Sequence, residues 1–130
     1  SIKEKNAKEE IIKADSSSDP IPMVVLINQG SASASEILSA ALKENNRAEL
    51  VGTTSFGKGV VQNIIPFNDE KPQTGIKLTI AEFFTPDGNQ IHKKGVSPNH
   101  QVEIDEGVRI IGPENIGEDK QLQEAIKLLK

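Results

Sequence analysis

The apolar residues of this chain fall into short runs, and their spacing separates strands from helices. Met23-Val24-Val25-Leu26-Ile27 is a continuous aliphatic run between Pro22 and Asn28, the pattern of a strand buried on both faces, and it predicts a parallel central strand. Beyond Gly30 the period changes. Ile37, Leu38, Ala41 and Leu42 recur at helical spacing and stop at Asn45-Asn46, whose side chains tolerate the left-handed geometry that ends helices, so a helix from about Ala34 to Glu44 follows. Leu50-Val51 begins a short strand ending at Gly52, and Val60 to Ile65 forms another, stopped by Pro66. Gly75 to Phe84 and Ile91 flank the turn Thr85-Pro86-Asp87-Gly88-Asn89 and predict a hairpin. Leu122, Ala125, Ile126 and Leu129 place one apolar stripe on a closing helix.

The polar stretches punctuate these elements. Residues 1–15 read either as a short charged helix or as a polar hairpin; Asn6 and the isolated apolar residues at 2 and 11–12 favour the hairpin. Ser16 to Pro20 is a loop by its turn-forming side chains. The chain thus divides into an N-terminal hairpin and loop (1–21), a core (22–112) and a C-terminal helical segment (113–130). A strand, helix, strand order followed by paired strands indicates an α/β sheet layered with helices. No internal repeat is visible.

Composition narrows the classes. With 130 residues, 35% of them hydrophobic, the chain is one domain or part of a larger one with a small core. Four Phe and no Trp or Tyr leave most burial to Ile, Val and Leu. Fifteen basic against nineteen acidic residues, a net charge of -4, argue against nucleic acid as a partner. No apolar run reaches membrane-span length, and no signal-peptide pattern is visible. The lack of cysteine excludes disulfides, thiol catalysis and thiolate metal sites. His92 and His100, the only histidines, are too few for zinc without carboxylates and are expected at the surface. The acidic residues form no paired-carboxylate or calcium-loop pattern, and no cofactor is implied.

Two segments carry candidate chemistry. Asn28 to Glu36 joins the first long strand to the helix through residues of little bulk, so backbone can approach a ligand there. A helix start leaves N–H groups unpaired and a positive dipole end, which would stabilise an oxyanion beside a serine. Ser33-Ala34-Ser35-Glu36 is equally a capping box, in which Ser33 satisfies the helix and Glu36 reaches back. In the second segment, Gly52 to Gly59, Lys58 lies between two glycines, with Phe56, Val60 and Val61 as apolar cover. A desolvated lysine amine can serve as a base, whereas most lysines are simply solvated. Gly52, Gly57 and Lys58 also have P-loop spacing, but Gly59 replaces the hydroxyl residue and a strand-like run follows instead of a helix.

The two segments together, Gly30 to Glu36 followed by Arg47-Ala48, Gly52, Phe56-Gly57-Lys58-Gly59 and Gln62, closely resemble the signature of carboxyl-terminal processing (tail-specific) serine proteases. The likeness continues through Thr85-Pro86-Asp87-Gly88, Ile91 and Gly95-Val96-Ser97-Pro98, covering residues 22 to about 104. The resemblance implies Ser33 as nucleophile, Lys58 as its general base, Gln62 as the side chain that orients the lysine, and Ala34 as the donor of one oxyanion N–H. In a straight strand four residues span about 13 Å, so a bend at Gly59 and side-chain reach are expected to bring Lys58 and Gln62 together. Ser39-Ala40 stands where an alanine-glycine pair is common and does not touch these residues.

The expected fold is therefore an α/β, Clp protease and crotonase-like core of layered β-β-α units, present in part. The family usually adds an export or membrane segment, a PDZ domain and an upstream glycine that completes the oxyanion hole. On that comparison the sequence begins inside the protease core, and by itself it is expected to be nearly inactive. The resemblance also implies polypeptide substrates cut near their C-termini, an extracytoplasmic location, a homodimer and a membrane-associated parent. The alternatives are a non-catalytic folding or interaction module and, more remotely, a nucleotide site at the P-loop-like segment.

Overall fold

The computed structural model describes residues 1–4, 9–13, 20–67, 74–105, 107 and 116–130. In chain order the elements are β1 (Ile2–Glu4), β2 (Val24–Ile27), α1 (Ala34–Glu44), β3 (Glu49–Gly52), β4 (Val60–Pro66), β5 (Gly75–Phe83), β6 (His100–Gln101) and α2 (Lys120–Leu128). They form two three-stranded sheets. One is parallel, in the order β2-β3-β6; the other is antiparallel, in the order β1-β5-β4.

In the parallel sheet β3 takes the middle, and Leu50 and Val51, which alternate to opposite faces, are both fully buried. Leu50 joins Ile27, Ala40, Ile91 and Val96 in the core, on the α1 side; α2 packs against β2 and β3, which places it over Val51. Here the expectation for β2 needs correction. It is parallel, but among the described strands it is the sheet's edge, paired only with β3, and Leu26 is 41% exposed. A continuous apolar run says that a strand is apolar on both faces; it does not say which strand has neighbours on both edges.

Helix α1 has the expected bounds. It ends at Asn45, whose side-chain amide and N–H both donate to the Ala41 carbonyl, and Asn46 follows with φ 53°. The turn at residues 85–89 also forms. Gly88 N–H donates to Thr85 O at 2.9 Å, and Thr85 N–H donates to Asn89 O at 2.9 Å. Its arms, however, meet only at the single bridge Phe84–Gln90, so the predicted hairpin around it is reduced to one pair. β5 instead runs between β4 and β1, because Ile91 leaves the sheet for the core.

At the N-terminus, Ile2 and Glu10 exchange both backbone hydrogen bonds at 3.0 Å, as a hairpin would, while β1 adds to β5. The helical alternative for Ile2–Glu4 is thereby overturned. Residues 5–8 and 14–19, and part of the stretch 106–115, lie outside the described residues. Asp119 caps α2 by accepting from Gln121 and Leu122 N–H. No helix among the described residues is long and apolar enough to cross a membrane.

Candidate active site

Ser33 sits at the N-cap of α1, with φ 59° and ψ -115°. That is strained backbone for a residue with a Cβ, and it sets the serine at the apex of a sharp strand-to-helix turn. The turn is braced from within. Ser31 N–H donates to the Asn28 carbonyl at 2.8 Å, and Gly30 N–H donates to Asn28 Oδ1 at 2.8 Å. The Ser33 carbonyl accepts from Glu36 and Ile37 N–H at 3.0 and 3.1 Å, starting the helix.

The capping-box pair is in place, but its working half is the acid. Glu36 Oε2 accepts from Ser33 N–H at 2.8 Å, while the Ser33 side chain makes no cap hydrogen bond. Its hydroxyl is left for other chemistry. Ala34 N–H, the first of the helix, has no acceptor among the described residues and lies at the positive end of the α1 dipole.

Glu36 does far more than cap, and the sequence reading missed this. It is fully buried, and its other contacts are all to the lysine segment. Oε1 accepts from Ser55 Oγ–H at 2.5 Å and Gly57 N–H at 2.6 Å; Oε2 accepts from Lys58 N–H at 2.8 Å. Four donors converge on one carboxylate from two segments about twenty residues apart. Burial alone would raise its pKa, but the Ser55 hydroxyl and the N–H groups of Gly57, Lys58 and Ser33 outweigh burial and hold it below the ordinary carboxylate value. The serine and lysine backbones are thus bonded to the same side chain. Phe56 N–H, donating to the Ser31 carbonyl at 2.9 Å, adds a second tie.

The glycines around Lys58 are required by close packing. Gly57 has φ 90°, and a Cβ on Gly59 would lie 2.4 Å from the His92 backbone nitrogen. Lys58 itself is half-buried, and its ammonium has no hydrogen-bond or ion-pair partner among the described residues. The expected apolar cover is only partly there: Val60 is buried, but Phe56 is 66% exposed and points away into solvent.

Gln62 is exposed and donates from Nε2 to Thr79 Oγ1 at 3.4 Å; no bond between it and Lys58 occurs among the described residues. Just before Gln62 the β4–β5 register shifts, between Val61 and Gln62. The histidines are not free surface groups. His100 pairs with Glu49 at 3.3 Å, and His92 is half-buried with its Nδ1 lacking a partner. Among the described residues no group of three or more His, Asp or Glu could hold a metal ion.

The P-loop alternative loses its premise. Lys58 leads into β4 rather than a helix, and the N–H groups of Gly57 and Lys58 that would cradle phosphate are taken by Glu36.

The chain that carries this arrangement is similar to known proteins over most of its length. The profile of peptidase family S41 matches residues 1–102. This chain belongs to that family. It is 42% identical over 104 residues to the carboxy-terminal processing protease CtpA of Bacillus subtilis, covering 79% of this chain and 22% of that protein. It is also 42% identical over 96 residues to the chloroplastic C-terminal processing peptidase of Tetradesmus obliquus, covering 72% of this chain and 20% of that protein. Among solved structures, the photosystem II D1 C-terminal processing protease superposes with a TM-score of 0.56 at 44% identity, covering 63% of this chain and 20% of that one. The fold is accordingly a Clp protease-like α/β fold, as the motif resemblance implied. The chain spans about a fifth of the length of these curated relatives.

Proposed function

We propose that this chain carries the Ser/Lys acyl-transfer centre of a serine endopeptidase that cuts unstructured polypeptides near their C-termini. The observation that carries this reading is the Glu36 carboxylate, which accepts from Ser33 N–H and Lys58 N–H at 2.8 Å each on the same oxygen. Two residues fixed to one atom at their backbones are held as neighbours, which supports one centre. A capping serine and a random surface lysine need no such link.

In this mechanism Ser33 Oγ attacks the scissile carbonyl while the Lys58 amine, as general base, takes its proton. The oxyanion accepts from Ala34 N–H, aided by the positive end of α1. Collapse of the tetrahedral intermediate expels the new amine, which takes the proton back from Lys58. Water, deprotonated by the same lysine, then adds to the acyl carbon; the Oγ–acyl bond breaks and Ser33 Oγ takes the proton back from Lys58. Gln62 as the group that orients Lys58 rests on the motif alone, since its amide is turned to Thr79 here.

An apolar cleft of about 460 Å³ opens beside Ala34, between Ile37, Leu38 and Ala41 of α1 and Phe83 and Pro86; it suits an uncharged substrate side chain. An extracytoplasmic or lumenal site of action and a homodimer follow the family reading. The test is hydrolysis of an unstructured peptide by this chain set within a relative's full length. Cleavage that Ser33→Ala abolishes supports the reading; equal cleavage by the variant removes Ser33 from the chemistry.

A further inference from the structure

Ser55 is buried and stands where three segments meet. Its hydroxyl proton goes to Glu36 Oε1, and its oxygen accepts from Val96 N–H at 2.7 Å. Its backbone N–H donates to the Val96 carbonyl at 3.1 Å. Contact is close enough that a Cβ on Gly95 would lie 2.4 Å from the Ser55 carbonyl oxygen. Ser55 is therefore held from one side by residues 95–96 and holds Glu36 from the other.

Among the described residues Glu36 Oε1 has two donors, Ser55 Oγ–H and Gly57 N–H. The Gly57 N–H joins the lysine segment to Glu36 and, as a donor, reaches no third element. The Ser55 hydroxyl ties the carboxylate to the Gly95–Val96 backbone, outside both reacting segments. We propose that Ser55 is a positioning residue for the Ser33/Lys58 reaction: it fixes the carboxylate plane of Glu36, and through it the register between the serine and lysine segments. The effect on rate rests on the Ser/Lys reading. The effect on geometry does not.

Ser55→Ala removes the proton given to Glu36 and leaves Val96 N–H buried without an acceptor, whereas Ser55→Thr keeps both bonds at the cost of one methyl. The experiment follows amide hydrogen exchange at Ser33, Gly57, Lys58 and Val96 in this chain, with Leu50 and Val51 amides reporting global opening. In parallel, the rate of Ser33 modification by a fluorophosphonate is measured. In Ser55→Ala, exchange at Ser33 and Lys58 should rise about ten- to hundredfold beyond any rise at Leu50 and Val51, and modification should slow by a similar factor. Ser55→Thr should recover most of both.

Exchange at Ser33 and Lys58 that rises only in step with Leu50 and Val51 would overturn the proposal, as would a threonine variant no better than alanine. If Ser33 does not react even with the unsubstituted chain set within a relative's full length, the catalytic reading fails, and the exchange measurement still decides whether Ser55 holds the two segments in register.

Discussion

Glu36 shows how much one side chain can settle. A carboxylate with four hydrogen-bond donors and no exposure is stabilised as the anion, so its folded pKa lies below the usual 4.5. For a depressed carboxyl the sign is fixed: the stability it contributes is complete above the unfolded value and is lost as pH falls through the folded one. Glu36→Gln turns an amide N–H₂ toward one pair of donors, leaving a buried clash worth about 1–3 kcal/mol or more at neutral pH. In urea unfolding, the gap between wild type and Glu36→Gln should stay constant above about pH 4.5 and shrink below it. A gap independent of pH would mean that Glu36 acts by shape and not by charge.

Ser33 invites a second test at the same scale. Its backbone conformation suits glycine, and such strain costs of the order of 1–3 kcal/mol, against about 0.5–1 kcal/mol of extra chain entropy lost by glycine. Ser33→Gly should therefore unfold at higher urea than Ser33→Ala by about 1 kcal/mol in stability. The sequence showed Ser33 and Glu36 as a capping box, of which the acid's half forms, with Ser33 N–H donating to Glu36. Nothing in S-x-x-E spacing reveals that the acid also receives Ser55, Gly57 and Lys58, because those bonds join segments that only the folded chain brings together.

Among elements, local periodicity was legible and neighbours were not. The 3.6-residue pattern of Ile37, Leu38, Ala41 and Leu42 gave α1 its bounds, since helix contacts are local. The apolar run at residues 23–27 was read as a central strand, yet β3, with only Leu50 and Val51 to mark it, took that place. Burial of a strand depends on what packs beside it. Gly59, just before β4, shows the same limit: it is needed for close approach to the Ile91–His92 backbone, which no local pattern discloses. Gly59→Ala should thus destabilise the chain by several kcal/mol, through a Cβ placed against backbone that cannot rotate away. Gly117→Ala, with open space around the site, serves as the control and should cost little. Equal unfolding midpoints for the two variants would contradict the close approach.

For the whole molecule, the two sheets differ in how well they are covered. The parallel sheet has helices against it, whereas the distal half of the β4–β5 pair stands open, with Ile64 67% and Phe67 70% exposed. Among the described strands β4 is also an edge, without a charged side chain, a surface prone to pairing. Sedimentation velocity on this chain should show association that grows with concentration and that Ile64→Lys reduces; an unchanged profile would show that this face does not drive contact. Fold class and family were legible because the motif residues are dense between Gly30 and Pro98. The open hairpin was not, since alternation of apolar residues does not disclose what covers them.

Activation of Ser33 by Lys58 would be read from the rate at which a fluorophosphonate modifies Ser33 in wild type and in Lys58→Ala, located by peptide mapping. General-base help is worth roughly 10²- to 10⁴-fold. Modification confined to Ser33, slowed by at least about a hundredfold without the lysine while the fold persists by circular dichroism, is the result the Ser/Lys centre predicts. Modification of Ser33 at the same rate in both proteins would contradict it.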